Sequence, residues 1–116
     1  MTRDENCVFC KIFAGEIKSE EVTRTDDAVV FRDLNPQAPT HLLVVPKRHA
    51  PNLGEFVASA TPQEVGELFT LASNTGRAAS PDGYRIVVNE GYMAGQTVFH
   101  LHLHVLAGRR MHWPPG

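Results

Sequence analysis

The heptapeptide HLHLHVL, residues 100–106, is the most informative stretch of this chain. Successive side chains of a β-strand point to opposite faces, so a strand here places the histidines on one face and Leu101, Leu103 and Val105 on the other. The apolar face is typical of a strand that packs into a core. The histidine face predicts chemistry, because neutral imidazole is a nucleophile near neutral pH and also the commonest metal ligand.

Two other interpretations of the histidine strand stay open at this point. A solvated sheet face can carry any polar residue, although histidine at alternate positions makes that explanation weak. Alternate residues of a strand lie about 6.6 Å apart, and a folded sheet can converge several imidazoles on one metal ion.

The rest of the chain predicts an α+β fold: a mostly antiparallel five-stranded sheet with one main helix and a short N-terminal helix. The strands are expected at residues 22–24, 28–32, 41–45, 84–88 and 98–106. A short helix is expected from Cys7 to Phe13, ended by Gly15. The main helix begins at Thr61-Pro62-Gln63-Glu64, which supplies a capping hydroxyl, a first-turn proline and a glutamate, and it stops at Pro81-Asp82-Gly83.

Size and composition limit the class of protein. A chain of 116 residues predicts a single domain over residues 1–116, and 42% hydrophobic with 21% charged residues is ordinary for a folded protein. A net charge of -2 argues against nucleic acid as a partner. The polar start and the lack of a long apolar run argue against a membrane protein, so we expect a cytoplasmic location.

Cys7-Val8-Phe9-Cys10 has the two-residue gap of a metal-binding or redox pair. A redox motif belongs near a helix start in a βαβ unit, which this position does not match. Two free thiols and a zinc site both remain open, since two thiolates and two imidazoles complete a tetrahedral shell.

The pattern at residues 100–106 resembles the signature of the histidine-triad (HIT) superfamily, and further motifs are similar to its Hint branch of nucleoside phosphoramidases. The resemblance runs from about Cys7 to Gly116. The other matching places are residues 31–33, 36–41, 46–49, 88–91, 95–97 and 111–116. The resemblance implies a HIT-like fold for the whole chain.

The resemblance also implies a reaction. His102, the middle histidine, matches the family's nucleophile, which attacks the α-phosphorus of a nucleotide and forms a covalent nucleotidyl-histidine. His104 and His41 match positions that contact the phosphate or assist proton transfer. The implied activity is hydrolysis of a purine nucleoside 5′-phosphoramidate, an AMP or GMP conjugate, to the monophosphate and an amine.

Further residues match the family's nucleotide-binding positions. Asp33 matches the carboxylate that binds the ribose hydroxyls. Asn89, Gln96 and Thr97 match phosphate-side polar positions, together with His102 and His104, and Thr97 stands where many relatives have serine. Phe9, Ile12 and Leu34 match the apolar base pocket, along with Ile17 and Phe31, although ordinary core is the alternative for each of them.

The resemblance to bacterial members implies a structural zinc held by Cys7, Cys10, His49 and His100. It also implies a homodimer, in which the helix from Thr61 supplies much of the interface. The C-terminal segment 113–116 would then lie near the partner's active site and influence substrate choice.

Two alternative functions remain. The same histidine would serve to hydrolyse dinucleotide polyphosphates or adenylylated metabolites. The second alternative is a zinc-containing interaction module with a vestigial pocket. The intact set of His41, His102, His104 and Asp33 argues against this alternative.

Overall fold

A five-stranded antiparallel sheet forms the centre of the protein, as seen in a computed structural model that describes residues 4–116. The strands are β1 Glu21–Arg24, β2 Ala28–Arg32, β3 Thr40–Pro46, β4 Arg85–Val87 and β5 Leu103–Ala107. Their order across the sheet is β1-β2-β3-β5-β4, and every neighbouring pair is antiparallel. The predicted α+β class with an antiparallel five-stranded sheet is confirmed.

The helices are α1 Val8–Phe13, α2 Leu53–Ser59 and α3 Pro62–Ala79, with a 3-10 turn at Tyr92–Ala94. Helix α3 begins as predicted, because the Thr61 hydroxyl accepts a hydrogen bond from the N–H of Glu64 at 3.1 Å. Helix α2 was not predicted from the sequence. Its signal was the Asn52 cap, whose side-chain oxygen accepts from the N–H of Glu55 at 2.9 Å.

Both faces of the sheet are apolar and covered. One face packs on α2 and α3, with a core of Ala28, Val30, Leu42, Val44, Ala50, Phe56, Leu68, Ala72, Leu101, Leu103 and Val105. The other packs on α1, with a core of Phe9, Ile12, Val29, Phe31, Leu43 and Val45. Since side chains alternate along each strand, His41 lies on the α1 face with Leu43, and Leu43 pairs with His104 of β5.

The last strand begins later than the sequence indicates. We expected a strand over residues 98–106, whereas β5 starts at Leu103. Two hydrogen bonds take the preceding backbone out of the sheet: the Val98 carbonyl accepts locally from the Gln96 side chain, and the Leu101 N–H donates to the distant carbonyl of Ala50. His100 and His102 therefore precede the strand, and His100 is fully buried.

Candidate active site and metal centre

Three side chains meet on the α1 face of the sheet where β2, β3 and β5 lie side by side. Nε2 of His41 lies 2.8 Å from Nδ1 of His104. The same Nε2 lies 3.4 Å from Oδ2 of Asp33, which directly follows β2. Asp33, His41 and His104 together with His102 are called the histidine cluster below.

The ring of His102 is oriented by the backbone two residues before it. Its Nδ1 lies 2.8 Å from the carbonyl oxygen of His100, and because a carbonyl only accepts, Nδ1 carries the proton. In the neutral ring Nε2 is then an unprotonated nitrogen with a free lone pair. The ring of His102 lies 5.0 Å from that of His104 and 5.1 Å from that of Phe9. The predicted nucleophile therefore has the protonation pattern that nucleophilic attack requires.

Burial keeps the imidazoles of His104 and His41 neutral. Loss of hydration, with smaller effects of the neighbouring rings of His102 and His41, lowers the pKa of His104 from 6.5 to about 4. Burial also lowers the pKa of His41, against the opposing effect of the Asp33 carboxylate. At neutral pH both rings thus act as neutral hydrogen-bonding groups.

The residues expected to bind the nucleoside lie in different environments. Phe9 and Ile12 belong to the buried core on the α1 face, at 6% and 8% exposure, and Phe9 touches the ring of His102 edge-on. Leu34 is 85% exposed, beyond the Asp33 end of β2. Asp33 and Phe9 thus contact the histidines, whereas Leu34 lies at the surface.

The residues predicted to face the phosphate lie between β4 and β5. Gln96 is buried, and its side chain accepts from the Gly91 N–H and donates to the carbonyls of Pro51 and Val98. Both of its amide hydrogens are used, so it fixes the loop leading to the histidines. Asn89 is half-buried and Thr97 is exposed. The direct contact of these residues with phosphate stays a prediction.

A second cluster comprises Cys7, Cys10, His49 and His100, called the cysteine cluster below. One donor atom from each residue lies within 4.8 Å of all the others. Nδ1 of His100 is 3.2 Å from the sulfur of Cys7 and 3.6 Å from that of Cys10. Nδ1 of His49 is 3.6 Å from the Cys10 sulfur and 3.1 Å from Nδ1 of His100.

These distances fit a four-coordinate metal ion. Bonds of about 2.1 Å to nitrogen and about 2.3 Å to sulfur in a tetrahedron put neighbouring ligand atoms roughly 3.3–3.8 Å apart. The outer nitrogen of His100, Nε2, is 2.7 Å from the Pro46 carbonyl, which fixes the ring and directs the Nδ1 lone pair at the cluster. Burial lowers the pKa of His100 to about 4, which keeps the ring in the neutral form that a ligand needs.

Several contacts that build these clusters were not predicted from the sequence. Arg48 makes two hydrogen bonds to Glu64 of α3, at 2.7 and 3.0 Å, and so ties the segment before His49 to that helix. The Pro46 carbonyl and the peptide N–H of Gln37, which donates to Nδ1 of His41 at 3.0 Å, act through the backbone. Glu64 was recognised only as a capping position, and the stretches 36–41 and 46–49, which contain the other groups, matched the family without pointing to these contacts.

The five-stranded antiparallel sheet and the histidine cluster are those expected of a histidine-triad type of protein. The HIT domain family matches residues 14–111, and the chain belongs to the HIT family. A 13.2 kDa HIT-like protein of Azospirillum brasilense is 46% identical over 112 residues, covering 95% of this chain and 92% of the relative.

Solved structures agree with this assignment. A HIT family hydrolase from Legionella pneumophila superposes with a TM-score of 0.90 at 42% identity, covering 96% of this chain and 100% of that one. A histidine triad protein from Clostridium difficile has a TM-score of 0.84 at 36% identity, covering 95% and 96%. Within residues 4–116, no helix has the length and apolarity needed to cross a membrane.

Proposed function

We propose that this protein is a hydrolase that cleaves purine nucleoside 5′-phosphoramidates into a nucleoside monophosphate and an amine. The observation that carries the proposal is the 2.8 Å hydrogen bond between Nδ1 of His102 and the His100 carbonyl, because it leaves Nε2 of His102 unprotonated. The solved HIT family hydrolase from Legionella supports the reaction class. The choice of a phosphoramidate and of a purine rests on the resemblance to the Hint branch.

The reaction proceeds in two displacements at phosphorus. Nε2 of His102 attacks the α-phosphorus and the P–N bond breaks; the departing nitrogen takes a proton from solvent, passed on through His104, and leaves as the amine. Water then attacks the same phosphorus and breaks its bond to His102, which releases the monophosphate and restores the free imidazole. Over both steps water supplies the hydroxyl of the phosphate and the proton that the amine requires, so atoms and charge balance.

The neighbouring side chains have separate tasks in this proposal. His104 donates a hydrogen bond to the phosphoryl group or to the departing nitrogen, and His41 supports it through the 2.8 Å contact between their rings. Asp33 accepts hydrogen bonds from the ribose hydroxyls. Asn89 and Thr97 contact the phosphate, and Phe9, Ile12 and Leu34 line the base pocket.

We further propose that the metal of the cysteine cluster is zinc with a structural role. Two sulfurs and two imidazole nitrogens in a tetrahedral arrangement are a typical zinc set. Four protein ligands close the shell, so such an ion has no open position for water or substrate. It would hold α1 and the segment around His100 together, which also fixes the carbonyl that orients His102.

A homodimer completes the proposal. Strand β4 lies at one edge of the sheet, and its outer backbone groups lack a strand partner within residues 4–116. Phe69 of α3 is 37% exposed, as an interface helix would require, and Trp113 of the C-terminal segment is 82% exposed. A two-fold contact through α3 would bring that segment towards the partner's histidine cluster.

Intact-mass measurement tests the mechanism directly. The protein is mixed with an adenosine phosphoramidate, quenched rapidly, and weighed; we expect a transient adduct of one adenylyl group that is absent from His102→Asn. A parallel reaction with a dinucleotide polyphosphate compares the two substrate classes. Faster turnover of the polyphosphate would replace the proposed substrate, and no adduct with either substrate would contradict the covalent route.

A further inference from the structure

The polarity of one backbone hydrogen bond determines where protons lie in the histidine cluster. The N–H of Gln37 donates to Nδ1 of His41 at 3.0 Å. A peptide N–H never accepts, so Nδ1 of His41 holds a lone pair, and the neutral ring must carry its proton on Nε2. Burial lowers the pKa of His41, which disfavours the doubly protonated ring.

The tautomer of His41 fixes that of the neighbouring His104. Nε2 of His41 and Nδ1 of His104 are 2.8 Å apart, so a single proton lies between them. That proton belongs to His41, since its other nitrogen is occupied as an acceptor. Nδ1 of His104 therefore accepts, and the remaining proton of neutral His104 lies on Nε2.

We infer that the peptide N–H of Gln37 is a positioning group that fixes both tautomers, so that His104 presents an Nε2–H donor to the reacting phosphate. The inference extends the proposed function and rests on it for the identity of the substrate, while the tautomers themselves follow from the structure. Gln37 acts through His41 and touches neither phosphate nor nucleoside in this scheme.

His102 shows why one peptide group matters. Its Nδ1 faces a carbonyl and is protonated, which leaves Nε2 as a nucleophile. His41 faces an N–H, which leaves Nε2 of His104 as a donor. Two imidazoles of the same cluster thus receive opposite roles from backbone groups of opposite polarity.

The loop that carries Gln37 is held in place by further contacts. The Gln37 side-chain amide donates to the Asn35 carbonyl at 3.0 Å, and the Asn35 N–H donates to Oδ1 of Asp33 at 2.8 Å. Gly108 has a φ of 96°, and a β-carbon there would lie 2.7 Å from Cβ of Pro39. Close packing against the end of β5 therefore keeps the Gln37 N–H aimed at His41.

The first test reads the tautomers without any substrate. Protein labelled with ¹⁵N-histidine is examined at neutral pH by long-range ¹H–¹⁵N correlation, which distinguishes protonated from bare ring nitrogens. Signals are assigned with His41→Gln and His104→Gln. We expect His41 and His104 protonated on Nε2 and His102 on Nδ1; a His41 ring protonated on Nδ1 would overturn the inference.

The second test removes the donor. Gln37→Pro lacks the N–H, and Gln37→Ala keeps it while losing the side-chain bond to Asn35. For the single-turnover rate with an adenosine phosphoramidate we expect Gln37→Pro to be slower than Gln37→Ala by at least about tenfold, with AMP affinity equal in both. Only Gln37→Pro should show a changed His41 or His104 spectrum. Equal rates and unchanged spectra in the two folded variants would refute the inference.

Proline can also disturb the loop, so an ester provides the decisive variant. Replacing Gln37 with its α-hydroxy acid exchanges the N–H for oxygen and retains the side chain. If Gln37→Pro does not fold, the ester protein replaces it with the same expected loss. Should the wild type turn over no phosphoramidate, the substrate proposal fails while the tautomer spectrum still decides the inference.

Discussion

The histidine cluster and the cysteine cluster adjoin one another, and they use imidazole in different ways. In the cysteine cluster, Nδ1 of His49 and of His100 converges with two sulfurs, an arrangement of lone pairs that favours a cation at the centre. In the histidine cluster, His41 and His104 are 2.8 Å apart with one proton between them. The first arrangement suits a closed metal site and the second suits proton and phosphoryl chemistry.

The difference teaches that the partner of a ring's second nitrogen decides its role. A carbonyl at Nε2 of His100 directs its Nδ1 lone pair to the centre of the cysteine cluster. A carbonyl at Nδ1 of His102 leaves its Nε2 with a free lone pair. His100 links both clusters, because its ring belongs to one and its carbonyl orients His102, the proposed nucleophile, in the other. The clusters are distinct in chemistry and coupled in structure.

The largest effect is expected from removing the nucleophile. His102→Ala should lower the single-turnover rate with an adenosine phosphoramidate by at least about 10⁴-fold, because the covalent route is lost. Calorimetric AMP binding should persist, since Asp33 and the apolar pocket hold the nucleoside independently. Near-normal turnover, or an adenylyl group trapped on His104, would contradict the division of roles within the cluster.

Removing an assisting ring should cost less. We expect His104→Ala and His41→Ala each to lose about 10²–10⁴-fold in rate, the range typical of a general acid–base group, and always less than His102→Ala. His104→Gln is the matched control, because its side-chain amide retains a donor in place of Nε2–H. A His104→Gln rate equal to that of His104→Ala would show that this donor is unimportant.

Breaking the cysteine cluster should affect metal content first. The wild type, purified under reducing conditions without chelator, should contain about one zinc per chain, and Cys10→Ser should contain none. Loss of an ion present at 100 times its dissociation constant lowers the free energy of unfolding by about 2.7 kcal/mol. Turnover should fall far less than in His102→Ala. A wild type free of zinc would restore the interpretation of two free thiols.

The low pKa of His104 predicts a pH dependence of stability. Between its ordinary value of 6.5 and about 4, the unfolded ring binds a proton that the folded ring does not. Unfolding therefore takes up a proton in that window, and stability falls as the pH falls from 6.5 towards 4. Denaturant titrations should show this slope to be smaller in His104→Gln, by at most about 1.4 kcal/mol per pH unit. Identical slopes would contradict the buried, neutral state of His104.

The sequence predicted the elements whose signals are local and repeated. Alternation in residues 100–106 identified the packing face of Leu103 and Val105, and the Thr61 cap located the start of α3. Helix α2 was missed because its seven residues carry only a single cap signal at Asn52. The start of β5 was misplaced because the alternating pattern does not reveal the two bonds that divert the chain before it, from the Gln96 side chain to Val98 and from Leu101 to Ala50.

The two clusters also differ in how far the sequence predicts their contacts. The cysteine cluster came together as the resemblance implied, since its members are recognisable by side-chain type. The contact between Asp33 and His41 depends on the pairing of β2 with β3, and no local sequence pattern predicts this contact. The role of Gln37 is invisible in the sequence because every residue except proline carries a peptide N–H.

The smallest effect concerns a segment that belongs to neither cluster. Arg85 donates to the His112 carbonyl at 2.9 Å, and the chain beyond it, residues 113–116, includes a Trp113 that is 82% exposed. Deleting residues 113–116 should change the free energy of unfolding by less than about 0.5 kcal/mol, because little of this segment is packed. If the segment lies near the partner's histidine cluster, the deletion should still shift the relative rates among several adenosine phosphoramidates severalfold.

Val22→Ala, on an exposed side chain of the opposite edge strand β1, is the control that should leave those ratios unchanged. Light scattering on both variants tests whether each is a dimer, and unchanged rate ratios in the truncated protein would show that substrate choice is made within one chain.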